Sequence, residues 1–100
     1  MADLRLTQRA IQDLDEIQTR GIEQFGPRAA TRFMAGFDRI FSTLRDRPFV
    51  GQARPEFRDD TRCVSHRPYR IHYRVVRQTV VIVRVIHQAR DIASIPDEEL

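Results

Sequence analysis

The spacing of the apolar residues changes once along this chain, and that change constrains the fold more than any other feature. From Ala10 to Leu44, apolar residues recur every three or four positions, as they do on one side of an α-helix. From Arg62 onward, they alternate with basic residues or form a continuous apolar run, as they do in β-strands. A helical first half followed by a sheet-forming second half predicts an α+β protein with separate helical and sheet layers.

The first half predicts a short strand and two helices. Residues 4–6 form a brief alternating segment, and Thr7 occupies the position of a helix amino-terminal cap before a helix over residues 8–24. Gly26-Pro27 ends this helix and begins the next, because Gly suits a carboxyl cap and Pro suits a first helical turn. The second helix ends at Arg47-Pro48. Because the connection is tight, we expect the helices to form an antiparallel hairpin.

The second half predicts a loop over residues 48–61 and three strands. The strands are expected at residues 62–65, at residues 69–75 and at residues 79–86. The predicted fold is an antiparallel helical hairpin packed on one face of a mostly antiparallel four-stranded sheet, with the order β-α-α-β-β-β. One hundred residues enclose a single core, so we expect one domain over residues 1–100.

The strand from Tyr69 to Val75 has two chemically different faces. Its odd positions should meet the helices: Tyr69, Ile71, Tyr73 and Val75. Its even positions, Arg70, His72 and Arg74, then point to the other face. Arg84 interrupts the last apolar strand and joins that basic face if Val81, Val83 and Val85 point toward the helices. A charged residue in an apolar strand costs free energy unless it is paired or solvated, so this face is either a functional surface or a solvated one.

Charge is distributed unevenly along the chain. All 17 basic residues are Arg, which reflects either codon bias or selection for contacts to phosphate and carboxylate. Residues 62–90 carry seven of them with three His and no acidic residue. Like charges held close together repel unless an anion meets them. That anion could be nucleic acid, an acidic protein surface or the terminal cluster Asp97-Glu98-Glu99.

Several classes of protein and site are not expected. Cys63 is the single cysteine, which excludes an internal disulfide and a zinc site built from paired cysteines. His66, His72 and His87 have no acidic residue or Cys at a useful spacing, so we predict no metal site and no cofactor. No apolar run approaches the roughly 20 residues of a membrane-spanning helix, and the amino terminus lacks a secretory signal. We therefore predict a cytoplasmic protein that does not contact the membrane.

The order of these motifs resembles the ParE-type toxins of the RelE/ParE toxin-antitoxin superfamily. The resemblance covers about residues 4–92 and rests mainly on two segments, Tyr69-Arg70-Ile71-His72-Tyr73-Arg74 and Val83-Arg84-Val85-Ile86-His87-Gln88-Ala89-Arg90-Asp91. It implies the fold predicted above and a ParD-like antitoxin. The carboxyl-terminal segment of such an antitoxin wraps the toxin, and its amino-terminal part binds operator DNA. The toxin would therefore meet operator DNA only indirectly.

Two activities are associated with this superfamily. RelE-like members cleave messenger RNA on the ribosome, and they tend to carry Lys and Arg on the concave sheet face and a Tyr or a His-Tyr pair near the carboxyl terminus. ParE-like members are associated with poisoning DNA gyrase by binding. This chain has no Lys, and neither Tyr nor His follows Arg90. The resemblance therefore favours the toxin of a type II toxin-antitoxin system that binds DNA gyrase rather than an enzyme.

The binding hypothesis and the endoribonuclease hypothesis depend on different residues. For target or antitoxin binding, the candidates are Arg62, Arg70, His72, Arg74, Arg84 and Arg90, and we expect an acidic antitoxin segment to add a strand or helix across residues 62–90. If the protein is a ribosome-dependent endoribonuclease, the candidates are His87, Arg84 and Arg90, with His87 as the proton-transfer group. His87 is otherwise a structural residue at a strand end. A non-toxic member that only binds an antitoxin is a third possibility.

Overall fold

The computed structural model describes residues 1–89, and its elements follow the predicted order with one additional strand. The elements are β1 (Asp3–Leu6), α1 (Gln8–Phe25), α2 (Pro27–Asp46), β2 (Gln52–Ala53), β3 (Thr61–His66), β4 (Tyr69–Val76) and β5 (Thr79–His87). The α+β fold with a helical hairpin is therefore confirmed. The predicted loop over residues 48–61 contains β2, a two-residue strand that no periodic pattern can reveal.

Thr7 begins α1 and also ties it to the sheet. Its Oγ1 accepts a hydrogen bond from the backbone N–H of Ala10 at 3.0 Å, as an amino-terminal cap does. The same hydroxyl donates to the carbonyl oxygen of Val83 on β5 at 2.7 Å. At the other end of α1, Gly26 has a φ of 88°, a left-handed value that Gly adopts without strain, and Pro27 opens α2.

The strands form one mixed sheet in the order β1-β5-β4-β3-β2. β1 pairs with β5 in parallel, and the remaining neighbours are antiparallel. The pairing of β1 with β5 reaches only from Asp3–Thr79 to Leu6–Ile82, after which the chain turns into α1. The edge of β5 beyond Ile82 therefore lies next to α1 instead of a strand.

The helices cover one face of the sheet, as predicted. Ile71 and Tyr73 of β4 are fully buried there, and Tyr69 and Val75 pack at the margin of the same core. The other buried members of this core are Ala10, Ile17, Phe37, Leu44, Val80, Ile82 and Val85. Removal of this apolar surface from water is the main favourable contribution to folding.

A β-bulge changes the side-chain alternation of β5. His72 pairs with Arg84 and Tyr73 pairs with Ile82, which leaves Val83 as an extra residue on β5. Val81 and Val83 consequently lie in a second, smaller cluster on the opposite face, whereas Val85 packs in the main core. The condition set for Arg84, that Val81, Val83 and Val85 all point toward the helices, therefore holds for Val85 alone, because the bulge breaks the alternation.

Candidate binding surface on the sheet

The predicted site residues do not form one surface. We define the outer face as the side of the sheet opposite the helices. In β4 it carries Arg70, His72 and Arg74, whose side chains alternate with the buried Ile71 and Tyr73. Arg62 pairs directly with Tyr73, so its side chain lies on the helix-covered side instead. Arg90 lies outside the described residues.

Arg84 is buried and ion-paired, which corrects its expected place on the exposed basic face. Its side chain is 1% exposed, its Nε lies 2.8 Å from Oδ2 of Asp13, and its Nη2 lies 3.1 Å from Oδ1. The backbone N–H of Val85 donates to the same Oδ2 at 2.9 Å. Because β1 stops pairing at Ile82, the Asp13 carboxylate supplies the acceptor that a longer strand would otherwise provide.

Asp13 was missed as an important residue, although the sequence contained a signal. It lies three positions after Ala10 and four before Ile17, which places it in the buried stripe of α1. A carboxylate in such a stripe requires a buried partner. The two residues that interrupt apolar elements, Asp13 and Arg84, therefore account for each other.

His72 is buried beneath a loop rather than exposed on a basic surface. The residue is 1% exposed, and the Phe57 ring meets the imidazole edge-on at a centroid distance of 5.2 Å. Burial, followed by repulsion from Arg54, Arg70 and Arg84, lowers the pKa of His72 to about 4. At neutral pH this imidazole is uncharged, so it does not attract an anion by charge.

Arg70 and Arg74 remain the half-buried cations of the outer face, and a loop carboxylate meets one of them. The Nε of Arg74 lies 3.4 Å from Oδ2 of Asp60. Arg54, at the beginning of the same loop, lies 3.5 Å from Glu56. The outer face therefore combines guanidinium groups with apolar side chains and a neutral imidazole.

Arg62 has a local structural role. Its Nη1 donates to the carbonyl oxygens of Phe49 at 3.1 Å and Gly51 at 2.9 Å, and its guanidinium lies 5.2 Å from the centre of the Phe49 ring. The loop after α2 is fixed further by Tyr73, whose buried hydroxyl accepts a hydrogen bond from the Gly51 N–H at 2.8 Å.

The candidate nuclease residues are not brought together within residues 1–89. His87 is exposed, its Nδ1 accepts a hydrogen bond from the N–H of Ala89 at 3.1 Å, and its ring contacts Tyr69. Arg84 is engaged with Asp13. His66 is engaged elsewhere, because its Nε2–H donates to the carbonyl oxygen of Phe33 at 2.8 Å.

Two further features of the described residues concern metal binding and cysteine chemistry. In residues 1–89 no three His, Cys, Asp or Glu side chains are grouped so as to hold a metal ion. Cys63 is buried, and burial raises the pKa of its thiol above the ordinary value. Neither described helix combines the length and apolar character needed to cross a membrane.

An apolar groove of about 610 Å³ lies between the helical hairpin and the turn that joins β3 to β4. Phe33, Met34 and Tyr69 line it, and Arg20 and His87 add polar groups. Phe25 also lines the groove and is 72% exposed. Phe25 continues the apolar spacing of α1 past the core, and that spacing alone does not distinguish it from the buried positions.

The family assignment follows from a match that spans most of the chain. Residues 4–92 match the family model described as the ParE toxin of the type II toxin-antitoxin system, parDE. The chain belongs to the ParE toxin family. The resemblance seen in the sequence is thereby confirmed.

Two solved structures are similar to this ParE family member. A chain of the chromosomal ParDE toxin-antitoxin system from P. aeruginosa has a TM-score of 0.75 and 24% identity, covering 87% of this chain and 96% of that one. A chain of the toxin-antitoxin complex RelBE2 from Mycobacterium tuberculosis has a TM-score of 0.65 and 26% identity, covering 86% and 96%. A comparison with curated protein sequences found no match. The toxin fold is thus shared by relatives from both branches of the superfamily.

Proposed function

We propose that this ParE family toxin inhibits DNA gyrase by binding to it, and that a cognate ParD-like antitoxin holds it inactive in the cytoplasm. The family match supports the toxin class, and ParE-like members are associated with gyrase poisoning. The observation that best supports inhibition by binding rather than by cleavage is the buried ion pair of Arg84 with Asp13. A guanidinium committed to a carboxylate inside the protein is a poor group for stabilising charge on a phosphate.

The other candidate catalytic groups also favour binding over cleavage. Cleavage of RNA requires groups that move protons at the attacking and leaving oxygens, together with a group that stabilises phosphate charge. His72 is buried with a pKa of about 4, so it stays neutral at neutral pH and lies out of contact with solvent. His87 is exposed, but its Nδ1 already accepts the Ala89 N–H. These arrangements support a toxin that acts by occupying a surface.

Two surfaces offer complementary kinds of contact. The outer face presents Arg70 and Arg74, which suit an acidic partner. The groove beside Phe25 suits apolar side chains of a partner helix. An antitoxin segment with acidic and apolar residues would use both surfaces and would shield them from the target. Operator DNA would be bound through the antitoxin alone.

The proposal is tested by a gyrase supercoiling assay with the purified toxin. We expect supercoiling to fall as toxin is added and to recover when the cognate antitoxin is supplied first. The double variant Arg70→Glu/Arg74→Glu should inhibit less than the wild type. The control is Arg28→Glu/Arg32→Glu, which makes the same charge change on exposed positions of α2.

Two results would overturn the proposal, one from the supercoiling assay and one from a translating extract. The first is full supercoiling at a large molar excess of folded toxin. The second comes from a translating extract, in which we expect messenger RNA to stay intact. Cleavage of the messenger that disappears in His87→Ala would identify the protein as an endoribonuclease instead.

A further inference from the structure

We propose that the outer face is a binding site for an acidic peptide segment with an aromatic anchor, and that residues 54–60 occupy this site in the free toxin. The segment would come from the antitoxin, and in this respect the inference rests on the proposed function. We call residues 54–60 the cover loop.

The cover loop contributes an apolar contact to a face that the helices do not cover. Val83 and Ile86 are 4% and 2% exposed, and Phe57 packs against them. The same Phe57 ring meets His72 edge-on. Phe57 thus acts as an aromatic anchor in a shallow apolar site on the outer face.

The cover loop also places carboxylates beside the arginines of this region. Asp60 contacts Arg74 of β4 at 3.4 Å, whereas Glu56 contacts Arg54 within the cover loop itself at 3.5 Å. A carboxylate close to a phenylalanine is therefore the chemistry that the outer face accepts from its own chain. A partner segment with the same chemistry would find the same charges and the same apolar site.

The contacts of the cover loop leave polar groups of the site unsatisfied. Within residues 1–89, neither ring nitrogen of His72 has a hydrogen-bond partner. The Nε of Arg74 makes no hydrogen bond within the same range either, and its contact with Asp60 at 3.4 Å is an ion pair alone. Buried polar groups in native proteins usually have partners. A peptide backbone or carboxylate that reached these atoms would bind this face better than the cover loop does.

The cover loop can leave the face without breaking the sheet. Its backbone hydrogen bonds close its own base and turns: Arg54 N–H to Thr61 at 2.8 Å, Phe57 N–H to Arg54 at 3.1 Å, and Thr61 N–H to Arg58 at 3.0 Å. The Asp60 side chain, which pairs with Arg74, is 53% exposed. Exposed ion pairs hold weakly, so the contacts that must break are the Phe57 anchor and the solvated pair of Asp60 with Arg74.

Fluorescence anisotropy with a synthetic peptide tests the inference. The probe is a fluorescein-labelled peptide in which Glu and Leu residues flank one central Phe. If the cover loop competes for the site, Phe57→Ala raises the fraction of binding-competent protein and should bind the probe several-fold more tightly than the wild type. Phe49→Ala, which removes an exposed Phe from the other side of the sheet, should bind like the wild type.

A second measurement shows whether Phe57 covers His72 and whether the variant is folded. The pKa of His72, followed by NMR, should be about 4 in the wild type and higher in Phe57→Ala, because removal of the cover restores solvent. Probe binding by Phe57→Ala that is absent, or no tighter than wild-type binding, would overturn the inference. An unchanged His72 pKa in the folded variant would also overturn it.

The experiment separates this inference from the proposed function. Neither gyrase nor antitoxin is present in the binding assay. A toxin that inhibits gyrase but whose Phe57→Ala variant does not bind the probe keeps the proposed function and loses the cover loop. A toxin that binds the probe as expected but leaves supercoiling intact does the reverse.

Discussion

Asp13 is the residue on which the junction between α1 and β5 depends. Its carboxylate accepts hydrogen bonds from the Arg84 side chain and from the Val85 backbone in a buried position. Asp13→Ala removes the charge that neutralises a buried guanidinium. We expect it to lower the free energy of unfolding by about 3–5 kcal/mol, measured by urea denaturation.

The matched control for this substitution is Asp15→Ala, at an exposed position of the same helix. We expect Asp15→Ala to change stability by less than about 0.5 kcal/mol. Asp13→Asn should fall between the two, because its amide oxygen still accepts the Val85 N–H. Equal stabilities of the Asp13→Ala and Asp15→Ala proteins would show that the ion pair contributes nothing.

His72 makes the stability of the protein depend on pH. Burial lowers the pKa of His72 in the folded protein from 6.5 to about 4, so between these values the unfolded chain binds the proton and the folded protein does not. Its stability contribution is complete above pH 6.5 and is lost as the pH falls toward 4. From pH 7 to pH 5, this residue should lower the free energy of unfolding by about 2 kcal/mol.

The substitution His72→Phe removes the titrating group and keeps an aromatic ring beneath Phe57. Denaturation of this variant at pH 7 and pH 5 should lack the share of the loss assigned to His72. His87→Phe, at an exposed position, serves as the control and should retain the wild-type loss. If His72→Phe and the wild type lose stability equally, the imidazole is not the responsible group.

At the scale of the elements, the packing of β3 on α2 involves close contact between His66 and Gly36. The His66 ring stacks on Phe33 at 4.2 Å, meets Phe37 edge-on at 4.6 Å and bonds the Phe33 carbonyl, which leaves it little freedom to move. A Cβ atom at Gly36 would overlap this ring. Gly36→Ala should therefore destabilise the protein by about 1–3 kcal/mol in thermal or urea unfolding.

In a helix, replacement of Gly by Ala normally stabilises the protein, so destabilisation by Gly36→Ala would indicate steric overlap with His66. Gly21, in α1, is the matched control, since a Cβ there would lie 3.4 Å from that of Ala30, a contact to which neighbours adjust easily. Gly21→Ala should stabilise the protein by up to about 1 kcal/mol. Stabilisation by Gly36→Ala would mean that β3 does not hold His66 against α2.

The elements also show what periodicity reveals and what it does not. The spacing of apolar residues gave both helices, the order of the strands and the buried side of β4, because each depends on local alternation. The buried state of Arg84 depends on the bulge at Val83 and on the length of β1, which are properties of strand pairing. Alternation alone therefore could not show that Arg84 is buried and paired with Asp13. The Asp13–Arg84 pair was accessible only by matching two charges that interrupt apolar segments.

The outer face was predicted in part for the same reason. Arg70 and Arg74 were assigned correctly to the side of β4 away from the helices, because alternation determines that side. The burial of His72 depends on Phe57, which lies in a loop with no periodic pattern. A sequence pattern cannot place a loop side chain over a strand 15 residues further along the chain. Loop packing therefore has to be read from the structure.

For the whole molecule, the charge distribution predicts how the toxin meets its antitoxin. Residues 1–61 contain equal numbers of basic and acidic residues, whereas residues 62–89 contain basic residues and no acidic ones. The field of this half should attract an acidic antitoxin over a Debye length of about 30 Å at 0.01 M salt and about 8 Å at 0.15 M. We expect the association rate constant, measured by stopped-flow fluorescence, to fall by about tenfold between these concentrations.

The salt dependence also tests which surface produces the attraction. Arg70→Gln/Arg74→Gln removes two charges from the outer face, and Arg28→Gln/Arg32→Gln removes two from exposed positions of α2, so both variants have the same net charge. If the antitoxin approaches the outer face, the first variant should show the slower association and the flatter salt dependence, because nearby charges dominate a screened interaction. Equal slopes for the two variants would mean that net charge alone steers the partner, and the outer face would lose its assignment as the antitoxin surface.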